Sequence, residues 1–219
     1  IRKIRVSDGA CLGSITPGHT YAYPRSIDIH NGHLYASTNR GLFTLNISNG
    51  ASKICPGTNR NEWRYSYTIT GSGSYLYSHY SYRMYRGTLT SSGSNLCPTS
   101  VKNFYDSSMS YGYGMTAHPT NPNELYFMSR GRNSIYKITV NSNGTGRTIN
   151  WQKGRYGYNK QSTATQNYFY YPWGIHYDDD NDRLIVSGYN QKKIQVFDNN
   201  GVFIKDKGGV AATTRMAAA

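Results

Sequence analysis

Tyr171-Pro172-Trp173-Gly174-Ile175-His176-Tyr177-Asp178 leads into Arg183-Leu184-Ile185-Val186, then Lys193-Ile194-Gln195-Val196-Phe197-Asp198, then Gly201 and Val202-Phe203-Ile204. Short runs of β-branched and aromatic residues joined by Asp, Asn and Gly turns read as four consecutive strands. The pattern returns three times upstream. Its second strand recurs as His33-Leu34-Tyr35-Ala36-Ser37, Tyr75-Leu76-Tyr77-Ser78 and Glu124-Leu125-Tyr126-Phe127-Met128. Ahead of these lie inner strands at Ser26-Ile27-Asp28-Ile29-His30, Thr68-Ile69-Thr70 and Gly114-Met115-Thr116-Ala117-His118. Third strands follow at Leu42–Leu45, Met84–Arg86 and Ile135–Ile138. Asn31-Gly32, Gly71-Ser72-Gly73, Pro119–Asn123 and Asp179-Asp180-Asn181 supply tight turns between the first two strands of each unit. No stretch sustains a capped helical period, so the chain is expected to be all-β.

Self-similarity of this kind implies a β-propeller, four-stranded antiparallel blades arranged around an axis. Full blades are expected over 21–57, 63–99, 110–152 and 168–207. Pro172-Trp173-Gly174-Ile175 with Asp178, then Leu184–Val186, Ile194–Asp198 and Gly201, resembles an NHL-type propeller repeat. The likeness is good in this last unit, fair in the third and loose in the first two. NHL-like propellers include RNA-binding modules, extracellular interaction domains and a few lyases and lactonases. The resemblance therefore implies a fold and leaves the activity open.

Arg2-Lys3-Ile4-Arg5-Val6-Ser7-Asp8-Gly9 aligns with Lys192–Asn199, so residues 1–16 read as the third and fourth strands of a split fifth blade. Five blades fit the 219 residues, and six would need more. Residues 210–219 are a closing or exchanged tail, enough for one strand and scarcely for two. Three readings follow: the ring closes imperfectly, residues are missing, or a neighbouring molecule donates the absent strand by β-augmentation. On the last reading Ile1, Arg2, Lys3, Ile4, Arg5 and Val6 form the self-association strand.

The chain carries 22 Tyr against 6 Phe. A phenol suits both the space between blades and a wet contact surface. Clusters at Tyr75, Tyr77, Tyr80, Tyr82 and Tyr85, and at Tyr168, Phe169, Tyr170 and Tyr171, could serve either role. A formal net charge of +13 suggests polyanionic partners such as nucleic acid, acidic glycans or a membrane surface. The basic residues form no single run: Arg2, Lys3 and Arg5 open the chain, Arg83 and Arg86 share a strand, Arg130 and Arg132 share a turn. Lys192 and Lys193 match Arg2 and Lys3, and a basic ring follows if these positions share one rim. The alternative is scattered solubilising charge.

Cys11, Cys55 and Cys97 each lie near a fourth strand. Equivalent positions in different blades stand far apart, so pairwise disulfides are not expected, and an odd count leaves at least one thiol. The sequons Asn46-Ile47-Ser48 and Asn143-Gly144-Thr145 follow third strands, at exposed turns. His30 and His118 end two inner strands where Asp178 ends another, a geometry that can place a metal at a channel mouth. Polar residues also favour hairpin entrances, and that simpler reading is preferred. Asp178-Asp179-Asp180-Asn181-Asp182 lacks the glycine and downstream Glu of a calcium loop and reads as a turn. No nucleophile elbow, phosphate loop or paired catalytic carboxylates occur, and no cofactor is called for.

These features lead to the expectation of a secreted, non-enzymatic structural or adhesive propeller that forms homo-oligomers or filaments, glycosylated at Asn46 and Asn143. No membrane-spanning run is visible. The rivals are an RNA- or polyanion-binding propeller using Arg2, Lys3, Lys192 and Lys193, and an NHL-like lyase or lactonase with His30, His118 or His176 on a metal.

Overall fold

The computed structural model describes residues 1–15, 23–58, 63–90, 96–157 and 167–208. It is an all-β propeller, with one 3-10 turn among the described residues, at Ser107–Met109. The first blade comprises Pro24–His30, His33–Thr38, Gly41–Asn46 and Ser52–Ile54; the second, Thr68–Ser72, Tyr75–Tyr80, Arg83–Leu89 and Pro98–Tyr105. The third comprises Gly112–Ala117, Glu124–Ser129, Ser134–Val140 and Arg147–Lys153; the fourth, Pro172–Asp178, Arg183–Gly188, Lys193–Asp198 and Phe203–Gly208. The second blade's outer strand reaches Tyr105, beyond the boundary at 99 expected from sequence. Turn chemistry sets the joints. Asn31 (φ 48°) and Gly32 (φ 73°) both take left-handed backbone, the two-residue hairpin that brings His30 opposite His33.

Blades pack face to face, so the middle strands are buried on both sides; His33–Thr38 is buried throughout. The core is a series of seams. Tyr35, Leu42, Trp63, Ile69 and Leu76 fill the first, between blades one and two. Tyr77, Met84, Met115, Leu125 and Phe127 fill the second, and Tyr126, Met128, Tyr177, Leu184 and Phe197 the third. Tyrosine recurs here for a reason. Tyr77 spans its seam and donates its hydroxyl to the Pro122 carbonyl (3.0 Å), and Tyr126 donates to Asn199 on the next blade. An apolar ring fills the seam while the hydroxyl secures the neighbouring turn.

Cys55 and Cys97 form a disulfide with Cα atoms 5.5 Å apart, contrary to the sequence expectation. The positions are not equivalent. Cys55 follows the outer strand of blade one, whereas Cys97 precedes that of blade two, so both reach the same seam. Cys11 is free and exposed.

Within residues 1–16, expected as a split blade, Arg2–Ile4 pairs with Cys11–Ser14 as a two-stranded sheet separate from the four four-stranded blades. It is shorter than expected, because Asp8 turns the chain early. Arg5 N–H bonds the Ala10 carbonyl (2.9 Å), Gly9 N–H bonds the Arg5 carbonyl (2.8 Å), and Val6 stands fully exposed in the turn. Ile1 and Ile15 pack on Leu34, Ala36 and Phe43 of blade one. The tail 210–219 lies outside the described residues.

Candidate functional site

Two places distinguish this propeller from a uniform ring: a flank beside blade one, and the central channel.

The flank follows from strand alternation. Along Pro24–His30, Ser26, Asp28 and His30 turn toward blade two. Ser26 Oγ accepts from Ile69 N–H (3.0 Å), Asp28 Oδ2 accepts from Gly71 N–H (2.6 Å), and His30 Nε2 meets the Gly73 carbonyl (2.7 Å). Period two then directs Ile27 and Ile29 the other way. The counterparts of Ile27 in the next two blades, Ile69 and Met115, are only 3% and 6% exposed, covered by the preceding blade, whereas Ile27 and Ile29 are 54% and 65% exposed. Inner strands are neighbours between blades one and two, two and three, and three and four; no comparable contact joins Pro172–Asp178 to Pro24–His30. What remains is an apolar groove of about 520 Å³, bounded by Ile4, Leu12, Ile27 and Ile29 above Leu34 and Leu45. Ile4 and Leu12 are also half exposed. Of the expected self-association residues, Ile1, Arg2, Lys3 and Ile4 line this groove, while Arg5 pairs with Asp8 (3.0 Å) in the turn.

The inner strands enclose a channel of about 250 Å³, polar where Ser26, Thr68, Thr70 and Thr116 line it. Asp28 inside it is held above the usual carboxylate range by burial, only partly offset by the Gly71 N–H. His30, His118 and His176 do share one mouth of the channel, with Asp179. Among the described residues, however, no three His, Cys, Asp or Glu side chains stand close enough to hold a metal ion. His118 stacks near Tyr126 and Tyr177, and burial, then Lys137, holds its imidazole below the ordinary range. Asp179–Asp182 is a turn in which Asn181 Nδ2 donates to Asp178 Oδ2 (2.9 Å).

The opposite mouth carries residues that sequence reasoning missed. A β-bulge interrupts the inner strand between Pro24 and Ser26, between Gly112 and Gly114, and between Pro172 and Gly174. The residues it displaces are Arg25, Tyr113 and Trp173, and Tyr67 holds the matching place before Thr68–Ser72. The signal was available: the four residues align once the inner strands are stacked.

The basic ring expected from sequence is corrected at one member. Lys193 is buried and its ammonium pairs with Asp206 (2.9 Å), whereas Arg2, Lys3 and Lys192 are exposed. Arg86 is likewise structural. It is 7% exposed, donates to the Asn141 and Ser142 carbonyls (3.2 and 2.8 Å), and stacks over Tyr75 at 4.3 Å. Of the sequons, Asn143 is exposed in an outer turn and accepts from Thr145 N–H (3.0 Å), and Asn46 is partly buried in a turn closed by Ser48. No helix among the described residues is long and apolar enough to cross a membrane.

No protein-family model and no curated protein matches the chain. Solved structures do. A functionally unknown protein from Desulfotomaculum acetoxidans superposes with a TM-score of 0.61 at 14% identity, over 94% of this chain and 62% of that one. Apo AztD from Citrobacter koseri gives 0.52 at 14% identity over 85% of this chain and 47% of its own. A chain of the mitotic checkpoint complex gives 0.60 at 9% identity over 94% of this chain and 57% of its own. This chain thus spans about half to three-fifths of those proteins, and at such identities the likeness is one of fold.

Proposed function

We propose that this chain is an extracellular structural subunit that acts by binding rather than catalysis and joins copies of itself through the unfilled blade. The observation that carries this reading is the apolar groove beside Pro24–His30, where, among the described residues, no blade packs on Ile27 and Ile29. Among the described residues, the two-stranded sheet beside it ends in an unpaired edge at Arg2–Ile4. Such an edge accepts a strand from a second copy, and a head-to-tail contact that does not close propagates into a filament. Covering the exposed halves of Ile4, Leu12, Ile27 and Ile29 contributes on the order of 4 kcal/mol. Association costs at least as much, so main-chain pairing along the edge has to supply the remainder. The Cys55–Cys97 disulfide supports an oxidising compartment, and the exposed Asn143 sequon agrees with it.

Electron microscopy and sedimentation of untagged native protein at modest salt test this directly. Filaments are expected from the wild-type chain and discrete particles from Ile27→Lys, which places a charge in the groove at a position already exposed. Deleting residues 1–6 should have the same effect. Single rings from wild type, or undiminished filaments from either variant, would sink the proposal.

A further inference from the structure

We propose that the aromatic mouth of the central channel binds an acidic polysaccharide. The feature is independent of the unfilled flank.

Each blade sets one side chain at the same register of its inner strand: Arg25, Tyr67, Tyr113 and Trp173. A bulge leaves its residue out of the ladder and re-aims it, and bulges recur beside functional sites for that reason. The rings form one continuous band. Tyr67 and Tyr113 have centroids 4.5 Å apart, Tyr113 and Trp173 are also 4.5 Å apart, and Tyr189 extends the band 5.4 Å beyond Trp173. Large aromatics left open in this way are costly to hydration unless something covers them; Tyr67 is 37% exposed, Trp173 44% and Tyr189 64%. Two guanidinium groups lie against the band. Arg25 stands 5.1 Å from the Tyr67 ring, and Arg130 stands 5.1 and 5.6 Å from those of Tyr113 and Trp173.

A ligand for this surface needs apolar faces to lie on the rings and anionic groups within reach of the arginines. A chain of uronate sugars has both, in the C–H faces of its pyranose rings and in its carboxylates. Single-stranded nucleic acid shares the charge, but its bases need open slots between aromatics. Here neighbouring rings already pack against one another, with centroids 4.5 to 5.4 Å apart and planes at 34°, 32° and 37°, so the slots between them are closed to a base and a ligand meets the outer side of the band and the exposed Tyr189.

Tryptophan emission provides a local readout. Trp63 is buried in a seam, Trp151 is fixed by a bond from Nε1 to the Asn199 carbonyl (3.1 Å), and Trp173 lies at the mouth. Titration with polygalacturonate oligomers should shift the emission, with dextran and polyuridylate as comparators under identical salt. Tyr189→Ala, at an exposed position, and Arg130→Gln should each weaken polygalacturonate about tenfold in Kd, and Trp173→Phe should abolish the emission change while retaining binding. Absence of polygalacturonate binding would overturn the proposal, as would equal binding of dextran, tighter binding of polyuridylate, or indifference of the affinity to both Tyr189→Ala and Arg130→Gln.

Discussion

Acid should unfold this propeller through one histidine. His79 lies in the middle strand of blade two, fully buried, with its ring 4.8 Å from Phe127. Neither nitrogen has a full hydrogen-bond partner among the described residues. Burial pushes its imidazole down to about 3, and the nearby Gly112 and Met109 backbone and the Asp106 charge offset little of that. A depressed folded value means that the unfolded chain takes up the proton first, at about 6.5. Stability is therefore intact above pH 6.5 and falls by ~1.4 kcal/mol per pH unit below it, until the folded value is reached near 3. At pH 4.5 the loss is about 2.7 kcal/mol, a large part of a typical domain's margin. Asp28, whose pKa is raised, acts in the opposite sense at the low end of this window, so the comparison must be made between variants. Denaturant unfolding of wild type and His79→Leu at intervals from pH 7.5 to 4.5 isolates the contribution. His79→Leu should match or exceed wild type at neutral pH and lose most of the acid slope. Equal slopes in the two proteins would refute the reasoning.

The Cys55–Cys97 bridge closes a loop with a sequence separation of 42, which the chain-entropy relation values at about 4 kcal/mol. Reduction, or the double alanine variant, should lower the unfolding free energy by that order in a chemical melt. Replacing Arg86 with Ala removes the donors to Asn141 and Ser142 and should cost roughly 3 kcal/mol. Differential scanning calorimetry would show this as a lower Tm, with Arg86→Lys falling between because one ammonium cannot reproduce the fork.

Local pattern made the blades legible. Period-two alternation and turns such as Asn31-Gly32 are properties of neighbours in sequence, and the four second strands were placed by the likeness of His33–Ser37, Tyr75–Ser78, Glu124–Met128 and Arg183–Ser187. The features that failed to show are those set by packing between blades. Lys193 looked like a surface cation because its place opens a strand; the Asp206 that pairs with it comes from the outer strand opposite. Cys55 and Cys97 looked equivalent until the direction of their outer strands was known. Arg25, Tyr67, Tyr113 and Trp173 were visible individually, but only the bulges at three of them and the matching place of Tyr67 before Thr68 show that one register aims all four at the same mouth. A strand pair within residues 1–16 was legible because it repeats one found elsewhere, whereas the groove beside it exists only once Ile27 and Ile29 are known to face away from blade two.

The flank and the mouth make different demands on a ligand, which allows them to be separated and their joint consequence tested. A mouth on every subunit of a head-to-tail assembly recurs at a fixed spacing. A long acidic polysaccharide then meets many mouths, and each later contact is made at the high effective concentration set by the first, a gain on the order of 10²-fold or more without any new contact. Ile27 lines the channel as well as the groove, but it makes none of the ring or guanidinium contacts of the aromatic band. Ile27→Lys should leave the Kd for an oligomer that spans one mouth unchanged and weaken retention on long polygalacturonate by about 10²-fold. Surface plasmon resonance with the polymer immobilised and the oligomer in solution measures both in one experiment. Loss of oligomer binding in Ile27→Lys would mean that the mouth depends on the flank, against the independence argued here. Unchanged retention on the polymer, in a variant shown to be monomeric, would mean that assembly adds nothing to binding and that the two sites serve separate ends.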